Sequence, residues 1–343
     1  MAVNLYSDGR SVQGSTLTAR WGVPVTVTGT EGLTLLIVRV DGVEVGRSTT
    51  DTALCNLSAV APGTRGFTAR VTAAIGAGTH GPKLATVVSD PQPGPGNTGP
   101  GVPDSELEPY AGTSVIRSEL VLEGALITRP IPVRAGGLLV VRSSAVRCGT
   151  VSGELVIDCR DGGRVVMEDC EVDGLGTARI GLGYSDVTIR RCNIHHVNDG
   201  LRMASRSVLE DSWVHDLSRI SVRDQYGNWV EQHPDAVQIT GGSDITVRHN
   251  TLSCIEDDGG VGNACVQINR VNPVTDVLIE DNWLDGGNYT VNIVNSVEGP
   301  VVLRNNRYGG TWRYGPILAP AHVQPDGDVV ETTGTAPRIV RTR

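Results

Sequence analysis

The chain has 343 residues, with 43 Gly, 18 Pro, 4% aromatic residues, 39% hydrophobic residues and a formal charge of −9. The apolar content excludes a disordered chain, and Gly without a period excludes collagen. No uncharged apolar run approaches the ~18 residues of a membrane-spanning helix. Lys83 is the only lysine among 29 basic residues and no basic cluster occurs, which argues against nucleic acid as a partner.

In chain order, Met1–Arg10 shows neither a basic region nor an apolar region of the secretory kind, so the expected route is synthesis in a cytoplasm without a signal peptide. Seven cysteines, an odd number, point to buried free thiols rather than a disulfide framework. Short alternating runs then read as strands, clearest at Ile37–Val40 and Val43–Val45 around Asp41-Gly42, a pair suited to a type I′ hairpin turn. Residues 1–90 are therefore expected to form a small immunoglobulin-like β-sandwich serving as an attachment module. Residues 91–104 are too rich in Pro and Gly for helix or sheet and read as a linker, followed by a second domain at 105–320 and a capping or partner-binding tail at 321–343.

The second domain repeats. Six segments share a pattern: Val166–Val172, Thr188–Ile194, Val208–Val214, Thr246–Leu252, Leu278–Leu284 and Val302–Tyr308. Their second and seventh positions are apolar apart from the last Tyr, and their fifth reads Cys170, Cys192, Ser212, Asn250, Asn282, Asn306. Fifth positions lie 22, 20, 38, 32 and 24 residues apart, which gives a minimal turn with insertions and hence a β-solenoid. Amide side chains there suit an inward corner where stacked Asn residues bond to each other. The third position alternates Glu168, Arg190, Glu210, Arg248, Glu280, Arg304, as expected of strands stacked ~4.8 Å apart. A second row, Ile180-Gly181-Leu182, Leu201-Arg202-Met203, Val237-Gln238-Ile239, Val266-Gln267-Ile268 and Val291-Asn292-Ile293, predicts a polar outer stripe between apolar flanks.

These repeats, with His233-Pro234-Asp235-Ala236-Val237-Gln238, Gly241–Asn250 and Asp281–Tyr289, resemble the right-handed parallel β-helix repeat proteins of the pectate-lyase-like superfamily over residues 112–318. In character they are most similar to actinobacteriophage minor tail proteins. The resemblance implies an all-β fold, a right-handed parallel β-helix behind the sandwich. It also implies a virion structural role in a phage tail, with other virion proteins and host cell-surface polysaccharide as partners and a homo-trimer as one assembly. The same superfamily holds glycan depolymerases, which is the alternative function. The Arg-based elimination site and calcium carboxylates of classical pectate lyases are not recognisable, and Arg202 shows no acidic cluster beside it.

For catalysis the candidates are Asp199 and Asp235, aligned one turn apart and assisted by His233. Two stacked carboxylates at ~5 Å match the spacing of retaining glycosidases, and equally match Asp at a strand-starting bend. For glycan contact the candidates are Arg202, Gln238, Gln267 and Asn292 on the stripe, with Tyr226 and Trp229 on the insertion 217–232. Those two aromatics fit a sugar-stacking platform, a small core of the loop, or a subunit contact. His195, His196 and His215 crowd the same span, and His195, His196 and His233 are of a type that serves as general base or metal ligand, but no metal-binding spacing or cofactor motif occurs. Glu256–Gly260 is acidic enough to attract a cation but reads first as a solvated turn. Cys170 and Cys192 read as a free-thiol ladder, while Cys148/Cys159 and Cys254/Cys265 are left open between thiol and disulfide. Thr311–Tyr314 with the C-terminal segment is the candidate cover for the last turn.

Overall fold

The computed structural model describes eight backbone strands within residues 2–88 and, with side chains, residues 92–149, 155–268, 272–294, 297 and 299–342. Contacts divide the chain into two units, Met1–Gln92 and Pro93–Arg343. No helix among the described residues is long and apolar enough to cross a membrane.

In the first unit the strands form two antiparallel four-stranded sheets. One joins Val43–Ser48, Leu36–Val40, Ala2–Tyr6 and Lys83–Val88, and the other Thr52–Leu54, Val23–Val27, Thr16–Arg20 and Gly66–Arg70. The predicted hairpin pairs Val40 with Val43, while its turn, Asp41-Gly42, lies outside the described residues. The loops and side chains that would define an immunoglobulin-type sandwich lie outside them too.

The second unit is a parallel β-helix. Three columns of short strands run in parallel register, and the first is a nine-stranded sheet from Glu119–Glu123 to Pro325–Asp326. A second column runs from Glu108–Pro109 through Trp213–His215 to Val329–Val330. The third runs from Ile131–Arg134 through Asp235–Ile239 to Ile339–Arg341. All six second positions and all six seventh positions of the repeat are at most 1% exposed, so these aliphatic side chains are the core. Tyr308 is accommodated because its hydroxyl donates to Asp328 at 2.9 Å.

The fifth-position ladder is longer than the repeat showed, running from Ser144 to Asp328. Each corner is turned by the residue before it: Ser143, Asp169, Arg191, Asp211, His249, Asp281 and Asn305 all hold φ between 43° and 58°. Asp, Asn and His tolerate that left-handed conformation better than most side chains, which explains their frequency at the fourth position. The charge alternation is likewise extended, to Glu123, Arg142, Glu168, Arg190, Glu210, Arg248, Glu280, Arg304 and Asp326 in consecutive register. Arg190 bridges Glu168 and Glu210 at 3.7 and 3.0 Å, and Arg248 contacts Glu210. These exposed pairs contribute little stability each and chiefly oppose register slips, which would stack like charges.

One register differs from expectation. Leu182-Gly183-Tyr184, not Ile180-Gly181-Leu182, stacks on Leu201-Arg202-Met203. A protrusion between Asp173 and Ala178 shifts the pairing, and Gly183 fits beneath Arg202, whose carbonyl a Cβ would meet at 2.8 Å.

The segment from Pro93 straps the outer face of the second column. Thr251 donates to the Pro93 carbonyl at 2.7 Å, Gly99 to the Arg191 carbonyl at 3.0 Å, and Arg147 clasps Asp104 at 2.6 and 2.7 Å. At the far end, residues 325–341 add the strands of a last coil, and Trp312 packs against the core. Cys148, Cys159, Cys170, Cys192, Cys254 and Cys265 are buried free thiols, so neither open pair is a disulfide in the structure. Burial pushes the Cys148 thiol up to about 11 and that of Cys159 to about 12.

Candidate functional site

The third column positions the carboxylates. Asp199 and Asp235 are register partners, as the alignment predicted, and each is 2% exposed. Arg202 donates to Asp199 from Nε at 3.1 Å and from a terminal nitrogen at 2.9 Å, so the acidic neighbour that Arg202 lacked in the sequence reading is Asp199 itself. Asp235 accepts from Gln238 at 3.2 Å and Asn263 at 2.8 Å, and its own N–H donates to Asp199 at 3.3 Å. Burial raises both carboxyl groups, and the negative Asp199 raises Asp235 well above the ordinary range. Arg202 favours the charged form of Asp199, so Asp235 carries the proton of the pair.

This arrangement has a pH consequence. A carboxyl raised in the folded state keeps a proton that the unfolded chain releases above ~3.9, so the pair lowers stability as pH rises from there through its folded value. Asp235→Asn, which mimics the protonated form, is expected to match wild type near pH 4. It should exceed it increasingly toward pH 8, by about 1.4 kcal/mol per unit of pKa elevation. Urea unfolding across that range checks this, and parallel profiles for the two proteins would contradict it.

The outer stripe stacks Asp158, Gly183, Arg202, Gln238, Gln267 and Asn292 in register. Gln267 is 5% exposed and accepts from Asn263 at 3.0 Å, whereas Arg202, Gln238 and Asn292 are partly exposed. At the end of these strands lies a groove of about 560 Å³, lined by Arg160, Tyr184, Arg202, Ser205, Thr240 and Asn272 among others. Arg202 belongs to both stripe and groove.

On the opposite edge of the same column stands the insertion, a hairpin pairing Ser221–Arg223 with Trp229–Glu231. Tyr226 and Trp229 are 80% and 65% exposed, so they form no core of the loop, and the Arg223 guanidinium lies 4.7 Å from the Trp229 ring centre. The acidic stretch is an exposed turn at Asp257–Gly259, as expected, and its buried first residue also anchors the base of this hairpin. Buried Glu256 accepts from Arg219 at 2.6 and 3.0 Å, and Ser218 donates to Asp257 at 3.0 Å. His233 is exposed just before Asp235.

The family model described as right handed beta helix region matches residues 136–318, more than half of the chain. The chain belongs to that family. No curated protein matches the sequence. Among solved structures the chain is similar to a variant catalytic domain of GH87 alpha-1,3-glucanase in complex with nigerose. The identity is 10%, over 99% of this chain and 90% of that chain, with a TM-score of 0.21. A variant of the same domain in complex with tetrasaccharides is 12% identical over 100% of this chain and 88% of that chain, with a TM-score of 0.23. Likeness at that level decides neither substrate nor reaction.

In this right-handed β-helix, Arg160, Tyr184, Ser205 and Asn272 are groove residues that sequence reasoning missed. They come from strand ends and corners of different coils, up to 112 positions apart in the numbering of the chain. Only the two-residue register shift at Tyr184 could have signalled them.

Proposed function

We propose that the protein is a non-catalytic, glycan-contacting β-helix, set in a phage tail as the sequence resemblance implies, with other virion proteins and a host cell-surface polysaccharide as partners. The observation that carries the glycan reading is Arg202, shared by a polar stripe and an open groove. Guanidinium, amide and hydroxyl groups along a concave surface suit sugar hydroxyls, and the exposed Trp229 and Tyr226 offer faces for stacking. The carboxylate pair supports contact over cleavage. A general acid or nucleophile must reach the bond it cuts, and both aspartates are buried with protein partners.

The test is binding of purified host envelope polysaccharide to the full chain, with reducing ends and unsaturated products measured in parallel. Wild type is expected to bind without product. Trp229→Ala and Asn272→Ala should each bind roughly tenfold more weakly, about 1.4 kcal/mol, with unchanged unfolding. Absence of binding to any envelope polysaccharide overturns the glycan reading. Product released by wild type and lost in the Asp199→Asn, Asp235→Asn double variant replaces it with a depolymerase. Mass spectrometry of purified particles tests the tail setting separately.

A further inference from the structure

We propose that Asp173, His195 and His196 form a binding site for a divalent transition metal, with Zn²⁺ as the ion their chemistry fits. The three converge on one point of the corner that follows the second column. His195 stands directly over Asp173 in register, one coil above it. Adjacent side chains of a strand ordinarily point to opposite faces, but His196 holds φ at 50°, and this bend brings its ring to the side of His195.

The two Nδ1 atoms are 2.9 Å apart, and Asp173 Oδ1 lies 3.1 Å from that of His196 and 4.0 Å from that of His195. Atoms so spaced share a centre about 2.0 Å from each, in their own plane, and a tetrahedral ion with ~2.0–2.1 Å bonds requires the Asp173 carboxylate to close on His195 from 4.0 Å to ~3.3 Å. Two imidazole nitrogens facing each other at that distance share either a hydrogen-bonded proton or a metal, and a metal uses both lone pairs.

A second, independent feature is the support behind His195. Its Nε2 lies 3.2 Å from Glu171 Oε1, and Glu171 is held by Arg147 at 2.5 Å. A carboxylate on the remote ring nitrogen holds the proton there and turns the Nδ1 lone pair toward the metal position, the arrangement that orients metal-bound histidines elsewhere. His215 stacks on His195 at 5.2 Å and is itself backed by Trp213 at 3.4 Å, which fixes the ring plane. The His196 side chain is 40% exposed, which leaves a further coordination position to solvent or to a ligand oxygen. Two nitrogens and one oxygen exclude calcium, which takes oxygen ligands in larger number, and match open zinc sites.

The test is titration of the metal-free full chain with Zn²⁺ by calorimetry, repeated with Co²⁺ followed by visible absorption. Wild type is expected to take up one Zn²⁺ per chain at this site and to give visible Co²⁺ bands that Zn²⁺ abolishes. His196→Asn keeps a residue type that accepts positive φ, and Asp173→Asn keeps the oxygen that accepts the Leu175 N–H. Each should lose at least tenfold in Zn²⁺ affinity while the metal-free melting curve stays put, and Glu171→Gln should lose roughly tenfold. Zn²⁺ uptake unchanged in both ligand variants, or no uptake by wild type, overturns the site.

Discussion

Asn282→Ala is expected to lower the stability of the β-helix by about 3–5 kcal/mol, because one change strands several buried polar groups at ~1–3 kcal/mol each. Asn282 is fully buried. Its Oδ1 accepts from the backbone N–H and the side-chain amide of Asn250 at 2.9 and 3.0 Å. Its Nδ2 donates to the Val247 carbonyl and to Asn306 Oδ1, both at 2.9 Å. Alanine leaves donors of Asn250 and acceptors of Val247 and Asn306 without this partner. For a unit of this size each kcal/mol moves the midpoint by ~2–4 °C, so thermal unfolding should shift by roughly 10 °C. A change under ~1 kcal/mol would show that the ladder is not a stabilising element. Asn282→Asp keeps the acceptor, loses the donor and buries a charge, so it is expected to be no better. The ladder itself ends on that residue type. Asp328 accepts from Asn306 at 2.9 and 3.3 Å and from the Tyr308 hydroxyl, and a carboxylate suits a position that receives hydrogen bonds from three donors.

Arg202→Ala is expected to cost about 3–5 kcal/mol at pH 7, the penalty for stranding a buried charge. The guanidinium is the only side-chain hydrogen-bond donor to Asp199 among the described residues, and Asp199 is 2% exposed beside a second carboxyl group. The deficit should shrink as pH falls and be smallest below ~3.9, where Asp199 of the variant is protonated in both folded and unfolded chains and needs no counter-charge. Adding Asp199→Asn to the variant should recover more than half of the loss at pH 7, because a neutral amide replaces the stranded charge. Denaturant unfolding of the two single variants and the double variant completes the cycle. A loss independent of pH, or one that Asp199→Asn fails to relieve, would mean that Arg202 acts through packing alone.

The coil was legible because its corners impose chemistry on the chain. A fifth position buried among backbone carbonyls admits only side chains that satisfy them or are small, so Cys192, Ser212, Asn250 and Asn282 stand out against aliphatic flanks. Ser144 and Asp328, the two ends, lacked that context and were found only through their hydrogen bonds. The Asp199 and Asp235 pairing was also legible, since equal register follows from equal strand sequences. Their protonation and their partners were not, because Arg202 and Gln238 reach back three positions along their own strands. Asp173 escaped as a partner of His195 and His196 for a related reason. Asp173 is 22 and 23 positions from the two histidines, a coil length rather than a helical or loop spacing, so no linear motif records it.

The sequence by itself determined the repeat, the inward ladder, the alternating charges and hence a parallel β-helix, because each follows from which side chains tolerate burial or a like neighbour ~4.8 Å away. Only the tertiary structure decided that the Pro- and Gly-rich strap lies along the second column, that Tyr184 sits two positions from its expected register, and that Arg202 is occupied by Asp199. Those outcomes depend on where corners protrude and how far side chains reach across coils. These are distances in space that spacing along the chain does not encode.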